Sequence, residues 1–229
     1  MTKDDILQRL QALANPTNTA GLARYGIRPQ TMVYGVSVNI LRDIAKEIKR
    51  DHALAEALWA TDVHEARLLA TMIADHKQIS ADAMERWALT FDSWDIVDQT
   101  CSNLFYKTPF AQEKVTAWTV RDEEFIKRAG FVLMAALSVH DKKAPDELFL
   151  SFLPIIQREA SDARNFVKKA INWALRQIGK RNLRLNAAAI ATAEQIQQID
   201  SKAARWVAAD ALRELRSQNT QARLQRKAQ

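Results

Sequence analysis

The chain has 229 residues, 48% of them hydrophobic and 26% charged, which is the composition of an ordinary soluble protein that can build one sizeable domain or a short repeat array. Glycine and proline occur only five times each, so we expect a nearly all-helical fold. The one cysteine, Cys101, excludes an internal disulfide and fits a reducing compartment. No signal-peptide pattern and no 18-residue apolar run occur, and we therefore expect a cytoplasmic monomer with no membrane partner.

Charge is distributed unevenly along the chain. Residues 1–157 have 18 basic and 21 acidic side chains, whereas residues 158–229 have 15 basic and 6 acidic ones. Such a basic C-terminal part is typical of proteins that bind a polyanion, most often nucleic acid. A solvated basic surface that only keeps the protein soluble would explain the same counts.

Five segments repeat one layout, in which an aspartate is followed by apolar residues at helical period. They are DVHEARLLATMIAD from Asp62, DSWDIVDQTCSNLF from Asp92, DEEFIKRAGFVLMAAL from Asp122, DARNFVKKAINWALRQI from Asp162 and DSKAARWVAADALREL from Asp200. Shorter apolar stretches lie upstream: HALAEALWA, AMERWALT, AQEKVTAW and LFLSFLPII. If each aspartate is a helix N-cap, the pattern predicts an all-α solenoid of HEAT-like helical hairpins with a concave basic groove. We expect one domain over residues 1–216 and a disordered basic tail over residues 217–229.

The second helices of these hairpins can be aligned on one another. One position reads Arg67, Asp98, Arg128, Lys169 and Arg205, and the position six residues later reads Ile73, Leu104, Met134, Leu175 and Ala211. The later position is always apolar and is predicted to pack inside the protein. The earlier one predicts a column of cations along the inner face, which would follow a phosphate backbone. Asp98 is the acidic exception in that column.

Three aspartates lie close together in the segment FDSWDIVDQT. Asp92 and Asp95 fit the helix N-cap and the capping box, which are structural positions. Asp98 lies beyond the first turn, where it either forms a salt bridge with Arg128 or Arg67 or faces a positive charge on a bound partner. Trp94 precedes it by one helical turn and therefore shares its helix face.

A second tryptophan, Trp173, recurs with Lys169 one turn before it and Arg176 one turn after it. An indole between cations is natural for a groove that touches sugar and base. Trp94 and Trp173 therefore predict a small aromatic cleft around the Asp98 carboxylate, although a place in the core would explain either tryptophan as well.

Four stretches together resemble the AlkD-type DNA alkylation repair glycosylases: YGVSVNILRDIAKEI, SWDIVDQ, EFIKRAGFVLMAAL and FVKKAINWALRQIGKRN. The resemblance covers about residues 22–216 and implies a HEAT-like fold and excision of cationic N3- and N7-alkylpurines from duplex DNA. It implies that Trp94 and Asp98 are the catalytic pair and that Arg128 holds a phosphate. It also implies that Trp173 is the second cleft tryptophan and that Tyr25 of ARYGI completes the pocket.

Other chemistries have little support in the sequence. The four histidines share no ligand spacing, so we expect no metal site, and no phosphate-binding or dinucleotide glycine motif occurs, so we expect no cofactor. The alternative to a glycosylase is a HEAT-like DNA-binding or scaffold protein that has the fold without turnover. A scaffold has no need for an acid in a cationic groove, and the pairing of Trp94 with Asp98 therefore favours the enzyme.

Overall fold

The chain divides into two compact units, residues 1–111 and the residues from 112 onward, in the computed structural model, which describes residues 1–228. Over residues 1–111, all of which are described, the α-helices are α1 (Lys3–Ala12), α2 (Pro16–Leu22), α3 (Val38–Ile48), α4 (His52–Trp59), α5 (His64–Ile73), α6 (Ala81–Ala88) and α7 (Trp94–Asn103). This unit also has two short 3₁₀-helices, Ala23–Tyr25 and Phe105–Lys107.

The second unit is built in the same way. Its α-helices are α8 (Ala111–Trp118), which begins at the boundary, α9 (Glu124–His140), α10 (Asp146–Glu159), α11 (Asn165–Gly179), α12 (Leu183–Gln197), α13 (Lys202–Leu215) and α14 (Gln218–Ala228). Residues 1–228 contain one isolated β-bridge, between Met32 and Val63, and no β-strand. No helix among these residues combines the length and the apolar character needed to cross a bilayer. The prediction of an all-α fold is confirmed.

The repeated segments are helices at the predicted places. The five longer segments form α5, α7, α9, α11 and α13, and the upstream stretches form α4, α6, α8 and α10. Within the first unit α5 packs on α4 and α7, and within the second α11 packs on α9, α12 and α13. The predicted helical hairpins are therefore present in each unit.

The apolar register of these helices is also confirmed. Its members are at most 1% exposed: Ile73, Leu104, Met134, Leu175 and Ala211. Because burial of apolar area is the main favourable term in folding, this repeated position anchors each second helix in the interior of its unit.

The prediction that the opening aspartates are N-caps is wrong. The N-cap residues are Val63, Ser93, Glu123, Arg164 and Ser201, one or two residues after each aspartate. Asp92 instead accepts a hydrogen bond from the backbone N–H of Gln30, and Asp162 accepts from the backbone N–H of Arg164. At these two positions the carboxylate binds another group, and all five helices begin one or two residues later than the sequence pattern predicts.

The prediction of a disordered C-terminal tail is wrong for residues 217–228, and Gln229 lies outside the described residues. Helix α14 buries Thr220 and Leu224, which are one turn apart on the same face. The side-chain amide of Gln221 donates to the carbonyl oxygen of Leu215 at 2.7 Å and to Oδ1 of Asn186 at 3.0 Å. The basic side chains of this segment are therefore held on a helix that packs against α12 and α13.

Candidate nucleic-acid interface

Trp94 and Asp98 lie one turn apart on α7, and both are half-buried. Ile96 and Val97 of the same helix are fully buried, so the Trp94 and Asp98 side chains lie at the border between core and solvent. The indole Nε1 of Trp94 donates to the backbone carbonyl oxygen of Tyr25 at 3.0 Å. Tyr25 is 72% exposed. The first unit thus brings three of the predicted site residues into one region.

The loop that follows Tyr25 is held by a buried carboxylate that the sequence analysis missed. Glu65 of α5 is 2% exposed and accepts backbone N–H groups from Tyr34, Gly35 and Val36 at 2.6–3.3 Å. Gly35 has φ +77°, and a Cβ atom there would lie 2.3 Å from the carbonyl oxygen of Asn15. Glycine is therefore required at this turn. The signal in the sequence was a lone acid inside an apolar helix, which needs a partner when buried.

Asp92 and Asp95 tie α7 to its surroundings. One oxygen of Asp92 lies 3.4 Å from Nη1 of Arg67, while the other accepts the Gln30 backbone N–H at 3.0 Å. Oδ2 of Asp95 lies 2.8 Å from Nε2 of His64, a side chain that is 3% exposed. The predicted capping roles of Asp92 and Asp95 are wrong, since both carboxylates bridge to other elements. The structural assignment of these two aspartates nevertheless holds.

The stability that Asp95 contributes should depend on pH. Burial raises the pKa of its carboxyl, but the hydrogen bond and charge attraction of His64 outweigh burial and hold the pKa below its ordinary value. The stabilisation is therefore present above the unfolded pKa and is lost as pH falls through the folded one. We expect Asp95→Asn to lower the melting temperature at pH 5–8 and to match the wild type more closely as pH falls below about 4. Melting curves across this range test it, and an equal difference at pH 3 and pH 7 would contradict it.

Arg67 is a structural residue in the first unit. It is 3% exposed, and its guanidinium donates to the carbonyl and hydroxyl oxygens of Thr90 and lies 4.6 Å from the ring centre of Trp59. Trp59 in turn stacks on Trp87 with ring centres 4.0 Å apart. Burial lowers the pKa of Arg67, with Asp92 opposing the shift. The prediction that Arg67 belongs to an exposed column of cations is wrong, because its planar head packs among aromatic and polar groups of the interior.

Helix α11 of the second unit presents three predicted residues at one-turn spacing. Lys169 is exposed and Trp173 is half-buried. Nη1 of Arg176 lies 2.7 Å from Oε2 of Glu214 and 3.7 Å from Oδ2 of Asp210. Arg176 therefore joins α11 to α13, and its charge is balanced within the unit. Of the two predicted cations on this helix, Lys169 is the one that faces solvent.

The other two predicted cations of the second unit differ in exposure. Arg128 of α9 is 5% exposed, and its Nη1 donates to the carbonyl oxygen of Phe166 at 2.5 Å. Arg205 of α13 is exposed and forms an ion pair with Asp200 at 3.0 Å. The expectation of an exposed cation therefore fails at Arg128, for the same reason as at Arg67, and is met at Arg205.

One exposed aromatic side chain was missed. Trp206 of α13 is 40% exposed, and Nζ of Lys168 lies 4.9 Å from its ring centre. Its neighbours Ala204 and Val207 are buried, so the helical period itself turns Trp206 outward. An exposed indole beside a lysine is a surface on which a nucleobase can stack while its phosphate is neutralised.

Comparison with known proteins places the chain among DNA-processing proteins. The family model described as "DNA alkylation repair enzyme" matches residues 6–225. A solved structure described as "A new family of proteins related to the HEAT-like repeat DNA glycosylases with affinity for branched DNA structures" superimposes with a TM-score of 0.81 at 21% identity, covering 98% of this chain and 96% of that chain. No curated protein matches the sequence. The structural likeness confirms the predicted HEAT-like fold.

Proposed function

Since the chain belongs to the DNA alkylation repair enzyme family, we propose that it is a monofunctional glycosylase that excises cationic N3- and N7-alkylpurines from duplex DNA. The observation that supports this most directly is the pairing of Trp94 and Asp98 on one face of α7, both half-buried, with the indole fixed by the Tyr25 carbonyl. Asp98 shares the half-buried face of α7 with Trp94, and on the family resemblance it is the carboxylate that we assign to the chemistry.

The proposed reaction needs little from the protein beyond charge and position. Alkylation makes the purine cationic. The N-glycosidic bond can therefore break with its electron pair going to the base nitrogen, and the base departs as a neutral molecule. The sugar then has oxocarbenium character, which the Asp98 carboxylate stabilises. A water adds its oxygen to C1′ and gives up a proton, which the same carboxylate can accept. The indole face of Trp94 adds attraction for the cationic base or sugar, about 1–2 kcal/mol when desolvated.

Contacts with the DNA backbone are assigned to exposed cations of the second unit. Lys169 and Arg205 are exposed, and Lys168 lies over the exposed ring of Trp206. Such residues neutralise phosphates and fix the position of the duplex without reading its sequence. In this proposal Trp173 of α11 offers the second unit's own half-buried aromatic contact to the DNA, while Arg67, Arg128 and Arg176 support the fold.

Release of free base from duplex DNA that contains N7-methylguanine tests the proposal. We expect the purified protein to release the methylated base and to leave the strand uncut until the abasic site is cleaved by alkali. Because the chemistry uses no metal or cofactor, release should be unchanged in EDTA. Protein that binds the duplex but releases no base above the spontaneous rate would contradict the proposal.

A second candidate function is binding of branched DNA without chemistry. It is favoured by the similar solved structure, whose family is described as having affinity for branched DNA structures. Competition between a four-way junction and a linear duplex of equal length separates the candidates. Preference for the junction together with absent base release would favour the binding protein.

We expect Lys169→Gln to reduce the salt dependence of duplex binding. Removing one phosphate contact should make the negative slope of log K against log salt shallower by about 0.9. The melting temperature should be unchanged, because the side chain is exposed. Lys77→Gln, at an exposed loop position, is the matched control with the same charge change. The slope is measured by titrations at four or more salt concentrations. Equal slopes for the wild type and both variants would remove Lys169 from the interface.

A further inference from the structure

A basic cavity of about 400 Å³ lies within the second unit, outside the residues assigned to the glycosylase chemistry. Its charged lining residues are Lys142, Asp146, Lys180, Arg181, Arg223 and Lys227. They come from the segment after α9, the start of α10, the segment after α11 and the packed helix α14. Five cations and one acid therefore share one concave surface.

Arg181 forms the rigid part of this cavity. Its Nη1 donates to the carbonyl oxygen of Ser138 at 2.7 Å, and its guanidinium centre lies 3.9 Å from the ring centre of the buried Phe149. Within residues 1–228 its buried Nε–H has no hydrogen-bond partner. A buried, unpaired donor on a cation is costly unless a bound group accepts it.

The two cations from α14 converge on a single acceptor. Nη2 of Arg223 and Nζ of Lys227 both point at the carbonyl oxygen of Lys180, at 3.4 and 3.5 Å. These are long contacts, and one carbonyl oxygen does not neutralise two charges. Partial burial and repulsion from Arg223, Lys142 and Arg181 lower the pKa of Lys227. The cations thus face one another without enough negative charge between them.

The charge balance of the cavity is positive after every internal partner is counted. Lys180 is matched at 2.7 Å by Glu214, a carboxylate that it shares with Arg176. Asp146 offsets a second cation, although it is also shared with Arg184 at 3.8 Å. The C-terminal ends of α9 and α11 contribute about −0.5 each. Asp141 also attracts the Arg181 guanidinium. Roughly one positive charge therefore remains in the cavity.

We propose that this cavity binds a phosphate group, supplied either by a small polyphosphate anion or by the backbone of a nucleic acid. The guanidinium groups of Arg181 and Arg223 can each hold phosphate oxygens in a bidentate manner, and the lysines contribute point charges. The cavity volume is ample for a phosphate or pyrophosphate group together with its remaining waters. Because α14 supplies two of the cations, the basic C-terminal helix has a binding role in this proposal.

Thermal melting in sodium pyrophosphate tests the site in the intact protein. We expect the wild type to melt several degrees higher in millimolar pyrophosphate than in sodium chloride of equal ionic strength, since a ligand that binds the folded state stabilises it. In Arg223→Gln/Lys227→Gln the rise should be lost, and in the single variant Lys227→Gln it should be about halved. The matched control Lys202→Gln/Arg226→Gln has the same net charge as the double variant and keeps the cavity residues. An equal rise in the double variant and the wild type would overturn the proposal.

A second arm identifies the source of the phosphate. If a DNA backbone fills the cavity, pyrophosphate should displace an undamaged duplex, and the double variant should lower the salt slope of duplex binding by about 1. If a free anion fills it, the melting response should be present and duplex binding should be the same in both proteins. A double variant that behaves as wild type in both arms would exclude the site. Both arms use undamaged DNA or none, so they stand apart from the outcome of the base-release assay.

Discussion

Asp98→Asn is expected to release alkylated purines about 10²–10³-fold more slowly than the wild type, while binding duplex DNA at least as tightly. The substitution keeps size and shape and removes the charge that we assign to stabilising the positive sugar. Interactions of this kind are worth about 2.7–4 kcal/mol in the transition state. Duplex binding should persist or tighten, because the substitution removes a negative charge that repels the DNA phosphates.

Single-turnover excision and melting curves on one protein preparation separate this role from a structural one. Asp82→Asn, at an exposed position in the first turn of α6, is the matched control and should retain full activity. If Asp98 served only as an ion-pair partner, Asp98→Asn would melt at a lower temperature and retain its turnover per folded molecule. Full activity in a stable Asp98→Asn protein would contradict the proposed mechanism.

Much of the fold could be predicted because helical period and residue chemistry agree along most of the chain. The five aspartate-led segments have apolar residues at the spacing of a buried helix face. That spacing predicts the helices α5, α7, α9, α11 and α13, which are the second helices of the hairpins. Helix starts were less predictable, because an aspartate before a helix has several competing partners. Asp92 binds the backbone N–H of Gln30 and the guanidinium of Arg67. Both residues are distant in sequence, so the local pattern does not predict these contacts.

In the candidate site, the sequence predicts which helix face each side chain shares but not how deeply it is buried. The four-residue spacing of Trp94 and Asp98 fixes a shared helix face, and the structure has both side chains half-buried on it. The register that grouped Arg67 and Arg128 with Lys169 also fixes a face, but it does not state how deeply each side chain lies. Arg67 reaches Thr90 and Arg128 reaches Phe166, contacts that depend on how neighbouring repeats pack.

The C-terminal segment is predicted to be disordered because of its positive charge, but it forms the packed helix α14. Residues 217–229 contain Arg223, Arg226 and Lys227, a composition typical of a solvated tail. Thr220 and Leu224, one turn apart, are enough to dock the helix when a matching surface exists on α12 and α13. That surface is formed by residues far earlier in the chain, so the local pattern could not reveal it.

Glu65→Gln is expected to destabilise the protein by about 1.5–3 kcal/mol, which lowers the melting temperature by roughly 3–12 °C. The carboxylate accepts the backbone N–H groups of Tyr34, Gly35 and Val36 in a site that is 2% exposed, and bonds to a charged acceptor are stronger than those to an amide. The NH₂ group that replaces Oε2 would also face the backbone N–H of Tyr34, and two donors cannot bond to each other. Glu113→Gln, exposed on α8, is the control and should melt as the wild type does.

The same substitution should reach the proposed site through the loop. Residues 26–37 follow Tyr25, whose carbonyl fixes the Trp94 indole, so a loosened loop should leave Trp94 less well held. We expect faster tryptic cleavage after the exposed Arg24 and a lower rate of base release at temperatures where the protein remains folded. A lower melting temperature with unchanged cleavage and base release would confine Glu65 to global stability. An unchanged melting temperature would mean that the three N–H groups find other acceptors, and the assigned role of this carboxylate would be wrong.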